Sequence, residues 1–171
     1  VILVFKLDTF IISEIKGLEA LGIYSMAVAF AEITLMLPNS VGTVLFTKIP
    51  TSNETEKLEL LKKVNKILVF LALGIALLLI LASPYFVEIL LGEAYKDSIF
   101  PLQILAPGLV FMSANYVFAN YYAGSGNPKI TAKVYAFGVV INIVSNYYFI
   151  DLWGINGAAL ASTLTYFSLI E

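Results

Sequence analysis

The chain has no cysteine and no histidine, and all ten of its basic side chains are lysine. Without cysteine, a disulfide framework and a thiolate site are excluded. Without histidine, the commonest general base and the commonest imidazole metal ligand are missing too. Charge itself is scarce: charged residues are 13% of the 171 positions, where a soluble domain carries roughly 25%. No metal or cofactor is expected, and no nucleic-acid partner.

What remains is apolar. Hydrophobic residues make up 60% of the chain, and the mean hydropathy is +0.90. Such a composition predicts an all-α, polytopic transmembrane helix bundle without a separate soluble domain. The chain starts and stops inside apolar runs and has no initiator Met. It therefore reads as an internal piece of a longer protein, with residues 1–171 forming a single membrane domain.

Five polar interruptions separate six apolar segments. The first span covers residues 1 to about 13 and is followed by "SEIKGLEALG". The second runs from about Ile23 to Ile49 and is expected to break at Pro38. The third, Ile67 to about Leu91, contains "ILVFLALGIALLLILA", which alone nearly crosses a bilayer at ~1.5 Å per residue. The fourth is about Leu102 to Tyr122, the fifth about Val134 to Ile150, and the sixth begins near Ala158 and is cut off at Glu171. "GEAYKDSIFP", "AGSGNPK" and "DLWGING" supply the turns.

The long polar stretch "TKIPTSNETEKLELLKKVNK" precedes the third span. Asn53 with Glu56 three residues on has the form of a capping box, and Glu59 is placed to pair with Lys63 one turn later. A short amphipathic helix on the cytoplasmic membrane surface is expected here.

Lysines set the orientation. The second and fourth connections hold seven (Lys48, Lys57, Lys62, Lys63, Lys66, Lys129, Lys133), whereas the first, third and fifth hold only Lys16 and Lys96. The positive-inside rule places the lysine-rich connections in the cytoplasm. Trp153, Tyr85, Tyr95, Tyr147 and Tyr148 fall near span ends, as an aromatic belt would.

The polar residues left inside the spans form a short set. Asp8 and Lys6 lie about 7 and 10 Å inside a ~30 Å hydrocarbon core. A charge at such depth costs at least ~2.5 kcal/mol and needs compensation. Two residues apart, the pair point about 200° away from one another around the helix and need separate partners. Glu32 is near the middle of the second span, six residues before Pro38, and a Lys6–Glu32 contact is the simplest structural pairing. Asn142 and Asn146 share a face with Gly138, and Ser113, Tyr116 and Asn120 line up on the preceding span. Such faces serve as hydrogen-bonding glue between helices or line a wet cavity. Lys6, Asp8, Glu32, Asn142 and Asn146 are the candidates for substrate or ion coupling.

Enzyme chemistry has little to work with. No H-E-x-x-H or G-x-S-x-G is present, and "GSGNPK" lacks the spacing of a phosphate loop. Nor is a channel's filter loop evident. Isolated charges on interrupted spans suit a transporter.

Three blocks carry a resemblance across essentially the whole chain. They are "KLDTFIISEIKGLEALGIYSMAVAFAEITLMLP", "PYFVEILLGEAYKDSIFPLQILAPG" and "INIVSNYYFIDLWGINGAALAST". In this order they resemble the polysaccharide flippases of the multidrug, oligosaccharidyl-lipid and polysaccharide exporter superfamily. The resemblance implies two helical bundles around a central cavity, of which this chain is most of the second, the first being absent from it. It implies alternating-access flipping of lipid-linked oligosaccharide or polysaccharide precursors, such as those for O-antigen or capsule, across the cytoplasmic membrane. By position, Lys6 matches the basic residue of the family's basic-x-Asp motif and Asp8 its acid. Lys6 would then attract the carrier's pyrophosphate or respond to a coupling cation, although Arg would hold phosphate bidentately. Asn142 and Asn146 match the family's asparagines. Two alternatives stay open: a cation-coupled multidrug exporter with an acidic cavity around Asp8 and Glu32, and a membrane scaffold subunit with Lys6 and Asp8 both paired.

Overall fold

The computed structural model describes residues 2–170, with side chains from Lys6 onward. Val1, where the first span was expected to start, and Glu171, where the sixth was expected to stop, lie outside the described residues. Every regular element among them is helical: α1 (Ile2–Lys48), α2 (Glu54–Leu91), α3 (Ile99–Gly124) and α4 (Pro128–Ser168). Short 3-10 segments, Ile49–Thr51 and Glu93–Ser98, join α1 to α2 and α2 to α3. All four long helices are apolar and long enough to cross a membrane.

Two of these helices are hairpins. Gly17 in α1 has φ 83° and ψ 178°, and Gly154 in α4 has φ 57° and ψ −135°. L-residues rarely adopt either conformation, which explains glycine at both points. The chain reverses there. Lys6 Nζ lies 3.2 Å from Glu32 Oε1, 26 residues away, whereas a straight helix would separate the two by about 39 Å. Across Gly154, Asn142 Nδ2 lies 3.3 Å from Thr165 Oγ1. Both reversals fall in connections expected from the polar interruptions, "SEIKGLEALG" and "DLWGING".

The connections sort to two ends. Lys16, Glu19, Asp97, Gly154 and Ile155 line one cleft, which brings the Gly17 turn, the Glu93–Ser98 segment and the Gly154 turn together. There Lys16 Nζ donates to the Asp151 carbonyl at 3.4 Å. The Lys96–Glu93 pair at 3.1 Å braces this end, and the hydrogen bond to Glu93 holds the lysine's pKa above its ordinary value. At the opposite end Gly124 abuts Phe46 and Ile49, where a Cβ would come within 3.0 Å of the Phe46 carbonyl. The lysine-rich connections share that end.

α3 is the central element. It packs on all three other helices. Of its most apolar stretch 56% is buried, against 28% in each of the others. Leu102, Leu105, Ala106, Leu109 and Met112 form its core face.

One local expectation is met and three change. The capping box is present: Glu56 N donates to Asn53 Oδ1 at 2.9 Å, and Asn53 N donates to Glu56 Oε2 at 3.1 Å. The helix it opens is not a separate amphipathic one. It runs without interruption to Leu91, because nothing between Lys66 and Ile67 breaks a helix; polarity changes there, but propensity does not. The basic partner on this stretch is also different, with Lys57 pairing Glu54 at 2.7 Å and Glu59–Lys63 not an ion pair. Finally, α1 continues past Pro38 to Lys48 instead of breaking. The proline ring leaves the Thr34 carbonyl without its usual amide donor while the flanking turns hold.

Candidate functional site

The two charges in the first limb of α1 face different neighbours, as their spacing requires. Asp8 is 2% exposed and fully engaged. Its Oδ2 accepts from the Tyr24 hydroxyl at 2.6 Å and from Ser162 Oγ at 3.1 Å, and its Oδ1 accepts from Thr9 N at 2.8 Å. Tyr24 comes from the second limb of α1 and Ser162 from the second limb of α4. The carboxylate therefore closes the bundle by joining its first helical limb to its last. Three donors on one buried carboxyl group offset part of its desolvation, which an isolated charge could not survive.

Lys6 is the opposite case. Its Nζ donates to Glu32 Oε1 at 3.2 Å, the contact expected from the sequence, and the two side chains are 57% and 44% exposed. From Glu32 a largely polar stripe continues along the same face of α1 through Asn39, Thr43 and Thr47, all exposed, with exposed Met36 among them. The spacing keeps these positions within about one-third of the helix circumference. On α3, half-buried Asn120 adjoins Gly42 of the same limb, where a Cβ would sit 2.6 Å from its Nδ2. Charged and amide groups thus line an uncovered helix face at membrane depth. Thr43 and Thr47 donate to the Asn39 and Val44 carbonyls of their own helix, so the groups here that lipid tails cannot satisfy, and water or a polar ligand can, are the Lys6–Glu32 pair and the Asn39 amide.

The two candidate asparagines of α4 lie inside the bundle. Asn142 and Asn146 are both 0% exposed. Asn142 Nδ2 donates to Thr165 Oγ1, and Asn146 Nδ2 donates to Asn142 O at 2.9 Å and Oδ1 at 3.0 Å. Asn142 ties the limbs of α4 together, alongside Gly138, which admits Leu169 at close range, whereas Asn146 bonds only within its own limb and its buried Oδ1 has no hydrogen-bond partner. Ser113 and Asn120 donate to carbonyls one turn back in their own helix, Leu109 and Tyr116.

Sequence reasoning missed a second buried polar group. Asn115 Nδ2 donates to the Leu169 carbonyl at 2.6 Å, and the Tyr135 hydroxyl donates to Asn115 Oδ1. Gln103 on α3 likewise reaches α2, donating to the Ile80 carbonyl at 3.0 Å. An Asn inside an apolar span was the available signal for the first; the sequence does not reveal which neighbour it meets. Among the described residues no cluster of acidic side chains has the arrangement of a metal site.

Comparison with known proteins adds the family. The MatE family model matches residues 1–148. An uncharacterized membrane protein of Methanocaldococcus jannaschii is 31% identical over 170 residues, covering 94% of this chain and 33% of that protein. A Shigella flexneri protein provisionally named an O-antigen transporter is 30% identical over 161 residues, covering 90% of this chain and 37% of its own length. A Haloferax volcanii protein provisionally named a flippase is 25% identical over 171 residues, covering 93% and 35%. The chain spans about a third of the length of these curated relatives. No solved structure gives a significant match. The chain belongs to the MatE family, a family of membrane transporters and not of enzymes, and is a multi-pass membrane protein.

Proposed function

We propose that this MatE-family chain is most of the second helical bundle of a flippase. The full protein would move lipid-linked oligosaccharide or polysaccharide precursors across the cytoplasmic membrane by alternating access. The observation that carries the reading is the half-exposed Lys6–Glu32 pair heading a polar stripe on α1. An anionic carrier headgroup needs a cation it can reach within the membrane, and Lys6 is accessible where Asp8 is not. The names of the Shigella and Haloferax relatives point the same way.

The hairpins at Gly17 and Gly154 support six crossings, with lysine-rich connections in the cytoplasm. On this reading the polar stripe faces the missing first bundle across a wet cavity. A cation-coupled drug exporter would use an acidic cavity around Asp8 and Glu32. Asp8 is instead enclosed by donors, which counts against an acidic cavity built around it. A scaffold accounts for both charges being paired, but not for the uncovered polar stripe.

The test is flipping of a fluorescent lipid-linked oligosaccharide by the full-length protein in liposomes. Lys6→Ala is expected to lower the rate by about ten-fold or more, the worth of one charge-assisted hydrogen bond made on the transport path. Lys6→Arg should retain transport. An unchanged rate in Lys6→Ala would remove Lys6 from the mechanism.

A further inference from the structure

α2 is longer than a membrane needs. Its 38 residues span about 57 Å, and a ~30 Å core takes up about 20 of them. Counting back from Leu91, the helix leaves the hydrocarbon near residues 67–71, with tilt covering the difference. The turns before that point pack inward through Leu60, Leu61 and Val64 against Leu45 and Ile49. Their outward side carries Lys62, Lys63 and Lys66, all exposed and, among the described residues, without an ion-pair partner. Directly below, the same face becomes apolar: Ile67, Phe70, Leu73 and Leu77 are 50–76% exposed. A basic cap over an exposed apolar run on one continuous helix face has the polarity profile of half a lipid bilayer.

A shallow, wide-open groove of about 590 Å³ runs along α2 at this junction, formed by side chains of that helix alone, among them Asn65, Lys66, Ile67, Phe70 and Leu73. Asn65 Oδ1 is buried at its rim without a hydrogen-bond partner.

We propose that this junction of α2 is a binding site for an anionic phospholipid of the lysine-rich leaflet. Its phosphate would lie between Lys62 and Lys66 and its acyl chain along Ile67, Phe70 and Leu73. Charge complementarity selects the occupant. Three unpartnered ammonium groups favour an anionic headgroup, and the apolar groove below them takes a tail that a soluble anion or an acidic protein does not have. Phosphatidylglycerol meets both requirements. The site stands apart from the Lys6 face and does not depend on the identity of the transported molecule.

Native mass spectrometry tests it, using the full-length protein released from bilayers of phosphatidylglycerol and phosphatidylcholine in equal parts. The wild type is expected to retain phosphatidylglycerol over phosphatidylcholine by at least about five-fold, a conservative figure for three lysines at a membrane surface. Lys62→Gln/Lys63→Gln/Lys66→Gln should bring the ratio near parity. The control Lys129→Gln/Lys133→Gln, which removes charge at the same end of the molecule, should leave it unchanged. No lipid preference in the wild type overturns the proposal, and so does an equal loss in the triple variant and the control, which would mean general surface charge. Flipping is not the readout, so failure here is distinguishable from failure of the transport reading.

Discussion

Tyr24 donates its hydroxyl proton to Asp8 across 2.6 Å, and it does so because the helix carrying both residues folds back at Gly17. Ser162 adds a longer bond of 3.1 Å from the last helical limb. The two donors should therefore be unequal. Tyr24→Phe is expected to destabilise the protein by about 1.5–3 kcal/mol, the range for a hydrogen bond to a charged group. Ser162→Ala should cost less, about 1 kcal/mol. Thermal unfolding in detergent of the two variants checks the order; a larger loss in Ser162→Ala would mean that Tyr24 is not the main partner of Asp8.

The turn glycines make a second prediction in which backbone conformation is separated from space. An added Cβ at Gly17 or Gly154 meets nothing within 4 Å, so any penalty there comes from φ and ψ alone. Gly17→Ala and Gly154→Ala should each cost about 1–3 kcal/mol. Gly22 has equally open surroundings but lies in ordinary helix, where Gly22→Ala should be neutral or stabilise by up to about 1 kcal/mol. Gly157 is the steric extreme, since its Cβ would lie 1.9 Å from the Phe149 carbonyl. Gly157→Ala forces the limbs of α4 apart and should cost about 3 kcal/mol, the upper range for overpacking. Unfolding midpoints of the four variants give the comparison.

Asn142 and Asn146 set structure against transport. Both are enclosed and bonded within α4, so Asn142→Ala should lower stability by about 0.6–1.7 kcal/mol, the measured range for polar contacts between membrane helices. Its flipping rate, corrected for the folded fraction, should match wild type. A rate that falls while the melting curve stays in place would put Asn142 on the substrate path after all.

Much of this arrangement is legible in the residues. Hydropathy locates the six apolar segments, and glycines within polar interruptions mark both hairpin turns. The 200° between Lys6 and Asp8 follows from helix geometry alone, and Glu32 is the carboxylate at matching depth for Lys6. Partner choice inside the bundle is not legible in the same way. Asp8 meets Ser162 across 154 residues, and Asn115 meets Tyr135, because of how limbs pack around α3. Helices that are apolar on all sides carry no stripe from which that order can be read. The continuity of α2 was hidden for a different reason: hydropathy changes sharply at Lys66, while the helix, which follows propensity and hydrogen bonding, does not notice.

The Lys6–Glu32 pair discriminates a wet face from a lipid-facing one. With both side chains about half exposed, a pair in contact with water should show a coupling of about 1 kcal/mol or less in a double-mutant cycle. In hydrocarbon, removing one partner strands a charge, and each single variant should lose about 3–5 kcal/mol. Lys6→Ala, Glu32→Ala and the double variant are therefore expected to unfold close to wild type, even where Lys6→Ala fails to transport. Large single losses rescued in the double variant would turn this face toward lipid and remove the cavity from the proposal.

Crossing number is open to direct measurement because the chain has no native thiol of its own. Single cysteines at Thr51 and Asn127 probe the end that carries the lysine-rich connections, and those at Glu19, Glu93 and Asp151 the opposite end. If α1 and α4 each cross twice, a membrane-impermeant maleimide added outside intact cells should label Glu19→Cys, Glu93→Cys and Asp151→Cys. Thr51→Cys and Asn127→Cys should react only after the membrane is opened. Straight, single-crossing α1 and α4 make a different pattern. Glu19 and Asp151 would then sit within the hydrocarbon and resist labelling from both sides, while Glu93, Thr51 and Asn127 would behave as before. Glu19 and Asp151 therefore carry the decision, and the geometry at Gly17 and Gly154 predicts that both react from outside.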